Sequence, residues 1–415
     1  MANQQAYATA ISPSMMMPAQ TERQTVTIDF DRIIDRRNTH SSKWDSMQAS
    51  YGVSPDTGIP MWVADMDFRP PQQVDAALVA EMAHGVYGYY DNPASYAAAL
   101  SGWMERRHNW RVDPPWLLQT HGLVNALALC ISAFSNPGEG VIVFSPVYHW
   151  FGTIVDANDR RLVESELVQR EGVYHMDLAA LEAQLNGDER LVLLCSPHNP
   201  GGRVWSAAEL GALADFCVKH DLVLISDEVH NDLIMPGHSH VVAPLAMPQA
   251  ADRLVTLIAT TKTFNLAGGM TGSMVIPDQA LRRKLAKTHR AAGMSVNRFG
   301  MVMAEAAYLH GADWLDELVV YLDGNRQLLS DELSQIPGVS VMPLQATYLC
   351  WVDFAGTGMA PAEFIGRIQD AGVAASHGST FGAGGDSFMR FNIATPRAQL
   401  ATAMQRLRTA FADLQ

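Results

Sequence analysis

The sequence predicts an α/β protein: a large domain with a mostly parallel sheet flanked by helices, followed by a smaller α+β domain. Three observations predict it. Over residues 81–312, short runs rich in Val, Ile and Leu alternate with longer amphipathic stretches, as in a parallel sheet with helices on its faces. Four of these runs end in polar residues: VIVFSPVY (141–148), LVLLCSPHN (191–199), LVLISDEVH (222–230) and LVTLIATTK (254–262). After residue 312 comes a long helical stretch, WLDELVVYLDGNRQLLSDELSQI (314–336), and then alternating strands such as YLCWVDF (348–354) and SFMRFNIAT (387–395).

Composition agrees with two domains. The chain has 415 residues, 48% hydrophobic and 17% charged, which is too long for one minimal core. Lys and Arg total 29 against 43 Asp and Glu, a net charge of -14 with no basic cluster, so nucleic acid and anionic membranes are not expected partners. No apolar run reaches the roughly eighteen residues of a membrane span, and the N-terminus lacks the basic-then-apolar layout of a secretory signal, so a soluble cytoplasmic chain is expected. Cys130, Cys195, Cys217 and Cys350 are far apart, show no C-x-x-C spacing and read as small core residues in a reducing compartment.

In chain order, residues 1–24 have no sustained period and read as a mobile tail. Residues 25–80 are expected to contribute to the small domain and the site entrance. LLQTHGLVNALALCISAF (117–134) reads as a short strand passing through His121 and Gly122 into an apolar-periodic helix, whose first amides, at Gly122 and Leu123, can hold an anion. The last three polar-ended runs begin 31 and 32 residues apart, close to one β-α-β unit each. Residues 313–415 form the small domain.

Ligands of an open parallel sheet bind at the carboxyl ends of its strands, so Tyr148, Asn199, Asp227, His230 and Lys262 should converge. That set suits a pyridine aldehyde cofactor. The lysine amine forms an imine, the carboxylate keeps the ring nitrogen protonated, the aromatic stacks on the ring and the amide donates to the ring hydroxyl oxygen.

Motifs spread along the chain add a resemblance. RRNTHSSKWD (36–45), PMWVADMDF (60–68), HGVYGY (84–89), SPHNPGGRVW (196–205), SDEVHNDL (226–233), TKTFNLAG (261–268) and FMRFNIATPR (388–397) occur in the order found in the aminotransferase class I/II group of fold-type I pyridoxal 5'-phosphate (PLP) enzymes. PMWVADMDF and HGVYGY resemble specifically the cystathionine beta-lyase type C-S lyases within it.

The resemblance, which runs from about residue 26 to the C-terminus, implies PLP as cofactor, bound by Lys262 as the Schiff-base lysine and proton shuttle. It makes Asp227 the partner of the pyridine nitrogen, Asn199 the partner of the ring hydroxyl and Tyr148 the stacking ring. Arg390 would grip the substrate α-carboxylate, with Ala64 and Asn199 also lining the substrate. Gly122, Leu123 and Thr261 would help hold the phosphate, joined by Tyr89 from a neighbouring subunit, which implies a homodimer with shared sites. Tyr89 or Tyr148 would assist the leaving sulfur. From the residues alone, a guanidinium fork at Arg390 suits a carboxylate, and in a period-2 strand Arg390 and Asn392 share a face.

Two positions depart from the group. Many relatives have a hydroxyl residue three positions before the lysine, where this chain has Ala259 and leaves Thr260 and Thr261 as substitutes; NLAGGMTG (265–272) lacks the arginine many aminotransferases place there. His230 stands where many aminotransferases have a tyrosine, as either a ring contact or a packed core histidine. His238 and His240 lie in a loop without an evident third ligand, so no metal is expected. Asp65 and Asp67 read as loop-shaping, and Trp62 and Tyr89 as interface packing or as shaping the site mouth.

The expected reaction is α,β-elimination of cystathionine or a related L-cysteine S-conjugate to pyruvate, ammonia and a thiol. An L-amino acid aminotransferase is the rival, since it shares every cofactor contact. A regulatory protein-binding role, which one member of the resembled group has besides its lyase activity, is the alternative from another class; a Lys262→Ala variant that keeps the biological effect would favour it.

Overall fold

The computed structural model describes residues 28–414, so the expected tail at 1–24 lies outside the described residues. In chain order the strands are β1 (Ile59–Met61), β2 (Leu117–Thr120), β3 (Gly140–Ser145), β4 (Arg161–Glu166), β5 (Val168–Arg170), β6 (Val173–His175) and β7 (Glu189–Cys195). They continue with β8 (Val223–Asp227), β9 (Leu254–Ile258), β10 (Gly272–Val275), β11 (Ser340–Val341), β12 (Leu349–Asp353), β13 (Val373–His377) and β14 (Phe388–Asn392).

The apolar runs become the centre of a seven-stranded sheet ordered β2-β10-β9-β8-β7-β3-β4. Its strands are parallel except β10, which runs against both β9 and β2. Each central strand is buried on both faces because alternate residues feed two separate cores. Val141, Val143, Leu191 and Leu193 pack with the helix Leu123–Phe134 on one side. Ile142, Phe144, Val192 and Leu194 pack with the helix Ala207–Lys219 on the other.

A five-stranded sheet follows, ordered β1-β13-β14-β12-β11, and against it lies the long helix Ala312–Leu333. The expected strands are there, but the alternation is not one of exposure: β14 is buried along its whole length and β12 nearly so. One face meets the long helix and the C-terminal helix Arg397–Ala410, and the other puts Trp351 and Phe388 into a core of the large sheet. The early segment joins this sheet, since β1 pairs in parallel with β13 through Ile59↔Val373.

All four cysteines are free and buried, as core residues should be. Among the described residues no helix is long and apolar enough to cross a membrane.

Backbone contact fixes the turn that follows Lys262. A side chain at Gly300, in the helix Arg298–His310, would run into Thr271 Oγ1 and the carbonyl of Gly269. Alanine has the better helix propensity, so the close approach decides the sign. Gly300→Ala is expected to lower stability by about 1–3 kcal/mol in urea unfolding; a stabilised variant would contradict this packing.

Candidate active site

Parallel pairing in register brings the predicted strand ends together. Cys195 of β7 lies opposite Asp227 of β8, and Asp227 opposite Leu257 of β9, so Asn199, Asp227 and Lys262 follow one edge of the sheet. Tyr148 joins them after β3, where its amide donates to the Asn199 carbonyl at 3.0 Å. Arg390 arrives from the other sheet, on β14 between Trp351 and Ser376.

The residues between the two sheets are gripped through their carbonyls. Lys262 Nζ donates to the Ala64 carbonyl at 2.6 Å, and the Tyr348 hydroxyl donates to the same oxygen at 3.0 Å. Arg390 Nη2 donates to the Trp62 carbonyl at 2.8 Å, and Asn392 Nδ2 to those of Val63 and Asp65, both at 2.6 Å. Arg390 and Asn392 thus do share a face. Arg390 Nη1 also donates to Asn199 Oδ1 at 2.9 Å, which leaves the Asn199 amide hydrogens for another acceptor.

The electrostatics are those of charges taken out of water. Burial lowers the Lys262 amine to about 8, with the Arg390 charge pushing the same way and Asp65 and Asp227 opposing. Burial raises the Asp227 carboxyl to about 7, against a 3.1 Å hydrogen bond from the Val229 amide and the Lys262 charge. Arg390, only 4% exposed, is lowered to about 10, again by burial. Burial raises the half-buried Tyr148 hydroxyl to about 12.

These residues fit PLP. Among the described residues Asp227 has no ion-pair partner, and a protonated pyridine nitrogen would supply the cation that keeps its carboxylate charged. A lysine with a depressed pKa is suited to covalent attachment. Gly122 has φ +78° and opens the helix Leu123–Phe134, whose first-turn amides lack intrahelical acceptors and can hold a phosphate. Thr260 is buried and Thr261 half-buried in the turn that carries Lys262, beside the Ala259 position.

His230 is buried next to Tyr348, their rings 6.0 Å apart, with no hydrogen-bond partner on Nδ1. Burial, then the charges of Lys262 and Arg390, hold its pKa well below the usual imidazole value. Tyr89 is not brought to the others within one chain and is 94% exposed. Asp65 and Asp67 shape the loop, pairing with Arg36 and Lys43.

Several contributors escape sequence reasoning. Tyr348 stands just before β12 and reaches the Ala64 carbonyl through a long-range contact that no local spacing reveals. His240 is a buried partner of Glu228 at 2.9 Å, and among the described residues no group of metal-ligating side chains forms. A signal did exist here: adjacent carboxylates at a strand end face opposite sides, so if Asp227 enters the site Glu228 needs its own donors. It receives them from Ser226, His240 and the Ala243 amide. Asp232 likewise accepts from His108 at 2.7 Å, Trp103 at 3.0 Å and Thr263 at 3.0 Å, holding the turn around Lys262 from behind.

Comparison with known proteins bears on this arrangement. The model of the family "Aminotransferase class I and II" matches residues 63–407. Cystathionine beta-lyase PatB of Bacillus subtilis (strain 168) is 37% identical over 387 residues, spanning 92% of this chain and 100% of that protein. The crystal structure of cystalysin from Treponema denticola, which contains a pyridoxal 5'-phosphate cofactor, is 34% identical with a TM-score of 0.89, covering 94% of this chain and 100% of that one. A PLP-bound putative aminotransferase from Clostridium difficile 630 is 35% identical with a TM-score of 0.89, covering 92% and 100%.

The raised Asp227 carboxyl gives a stability prediction for the cofactor-free protein. Between the unfolded carboxyl range near 4 and about 7, the folded chain holds a proton that the unfolded chain has lost, so stability falls as pH rises through that window. Asp227→Asn can keep the Val229 hydrogen bond and removes the titration. Its thermal midpoint should rise relative to wild type between pH 5 and pH 8; a difference independent of pH would contradict the shift.

Proposed function

The chain belongs to the aminotransferase class I and II family and uses PLP, and from that premise we propose that it is a carbon-sulfur β-lyase. It cleaves cystathionine or a related L-cysteine S-conjugate to pyruvate, ammonia and a thiol. The observation that carries the reaction type is the full-length likeness to cystathionine beta-lyase PatB at 37% identity.

When bound, PLP supplies an electron sink that stabilises negative charge at the substrate Cα. Lys262 would hold the cofactor covalently and would serve as the base for the substrate Cα proton; its amine, lowered to about 8 by burial, is about half neutral at pH 8 and about one-tenth neutral at pH 7. Asp227 would hold the proton of the ring nitrogen. Asn199 would donate to the ring hydroxyl oxygen, and Tyr148 would cover one ring face. The amides of Gly122 and Leu123, with Thr261, would hold the phosphate.

Arg390 binds the substrate α-carboxylate. Its guanidinium lies 4.8 Å over the Phe381 ring and is fixed by Asn199, Trp62 and Ser376, so it is preorganised rather than recruited. Ala64, whose carbonyl holds the Lys262 amine, lines the substrate side. His230 is assigned to the ring surroundings, on the strength of its burial beside Lys262 and Tyr348.

The enzyme acts as a cytoplasmic homodimer in which Tyr89 of each subunit completes the other's site by reaching the phosphate, and Tyr89 or Tyr148 assists the departing sulfur. Supporting this are the exposure of Val86, Tyr87 and Tyr89, a run of apolar and aromatic side chains with little cover in one chain, and four cysteines that are all free.

Product analysis tests the reaction. Incubation with cystathionine should release pyruvate and a thiol without added keto acid; accumulation of pyridoxamine phosphate and the matching keto acid would instead establish an aminotransferase. Lys262→Ala should abolish release. Arg390→Ala should lower kcat/KM by about 100-fold or more, and Arg390→Lys should recover little of it because the fork is lost. An Arg390→Ala variant with kcat/KM near wild type would remove Arg390 from substrate binding.

A further inference from the structure

The motif RRNTHSSKWD contributes none of the groups assigned above, yet it contains a lysine that is 0% exposed. Lys43, in the short helix Ser42–Asp45, donates from Nζ to Asp67 Oδ2 at 2.7 Å and to the Asp65 carbonyl at 3.3 Å. Arg36 spans both carboxylates, at 2.7 Å to Asp65 Oδ2 and 2.7 Å to Asp67 Oδ1, and also donates to the Met66 carbonyl at 3.1 Å. Trp44 Nε1 adds a bond to Asp67 Oδ1 at 3.3 Å, and Trp62 Nε1 returns one to the Lys43 carbonyl at 2.9 Å. Two cations and two anions form a neutral knot with Asp67 and Lys43 at its centre.

A buried ion pair is a poor way to gain stability, since well-packed apolar side chains often do as well or better. What it gives is direction. Each member accepts only one arrangement of partners, and here every arrangement fixes residues 62–67 of the loop. From its other side the loop is held by Arg390, Asn392, Tyr348 and Asn265, the last through the amide of Met66 and the carbonyls of Met66 and Phe68. The product of both sets of contacts is the position of one carbonyl, that of Ala64, 2.6 Å from Lys262 Nζ.

We propose that Lys43 is a positioning residue for Lys262: locked onto Asp67, it fixes the loop so that the Ala64 carbonyl meets the Lys262 amine. This rests on Lys262 being the reactive amine. An ammonium has three N-H donors, so an acceptor held against it favours the charged form. Lys262 is faced by Asp65 from the loop, Asp227 and His230 from the end of β8 and beyond, Tyr348 from just before β12 and Arg390 from β14.

Two physical roles then differ in sign. If Lys43 acted on Lys262 only through charge, Lys43→Met would leave the knot one negative charge in excess and raise the pKa of Lys262. If Lys43 acts by placing Ala64, the same change loosens the acceptor and lowers it. Lys43→Met with Asp67→Asn keeps the knot neutral, so its charge effect is flat and only the positional effect remains.

The test uses the full-length chain freed of cofactor with hydroxylamine, trace-labelled with acetic anhydride across a pH series, with the Lys262 peptide followed by mass spectrometry. The wild-type midpoint should lie at about 8. Lys43→Met and the double variant should each move it down by about half a unit or more, roughly a threefold change in the charged-to-neutral ratio, and Lys43→Arg should restore it. An unchanged or raised midpoint in either folded variant overturns the proposal.

If circular dichroism shows that neither folds, hydrogen exchange of the wild type decides. The amides of residues 62–67 must then open in one step with those of residues 42–45, and separate opening overturns it. Pyruvate release is scored independently. A shifted midpoint without release removes the lyase reading and keeps the positioning role, whereas release without a shift does the reverse.

Discussion

The hydrogen bond from Lys262 Nζ to the Ala64 carbonyl, backed by those of Asn265 to Met66 and Phe68, ties together two distant parts of the chain. Lys262 follows β9 of the large sheet, while Ala64 lies in the loop that leaves β1, an edge strand of the small sheet. The same loop gives its Trp62 carbonyl to Arg390, and Arg390 reaches back to Asn199 on the large sheet. A chain of contacts therefore runs from lysine to loop, to arginine, to asparagine, and the pairing of β7, β8 and β9 completes the ring back to the lysine. Any displacement of the loop moves the amine and the guanidinium together.

Desolvation then sets the chemistry of that ring. Lys262, Asp227 and Arg390 are each shifted toward their neutral forms by burial, and the attraction between Lys262 and Asp227 opposes the shift of both. Leaving Asp227 without an ion-pair partner would be a poor solution for a protein that only had to fold, and it makes sense if the missing charge arrives with the cofactor. Glu228, next along the chain, faces the other way and is fully satisfied by Ser226, His240 and Ala243. The contrast separates a carboxylate kept for structure from one kept for a ligand.

Much of this was legible in the sequence, and the reason is locality. Parallel strands about one β-α-β unit apart end on the same side, so Asn199, Asp227 and Lys262 could be grouped from spacing alone. Arg390 and Asn392 could be placed on one face by the period of a strand. What spacing could not reveal was where the loop after β1 would lie, because that depends on β1 joining β13 more than 300 residues later in the chain. Tyr348 and Lys43 were invisible for the same reason. His240, read as half of a loop histidine pair, needed the knowledge that Glu228 points into a dry interior. Tyr89 marks a different boundary: in a single chain it has nothing to reach, and its proposed role depends on a second subunit.

The convergence on Lys262 is tested most directly by reducing the cofactor-loaded protein with borohydride, digesting it and mapping the added cofactor mass by mass spectrometry. A single modified peptide, carrying the cofactor on Lys262, is the expected result. Label on a different lysine, or cofactor that remains removable by dialysis after reduction, would contradict it.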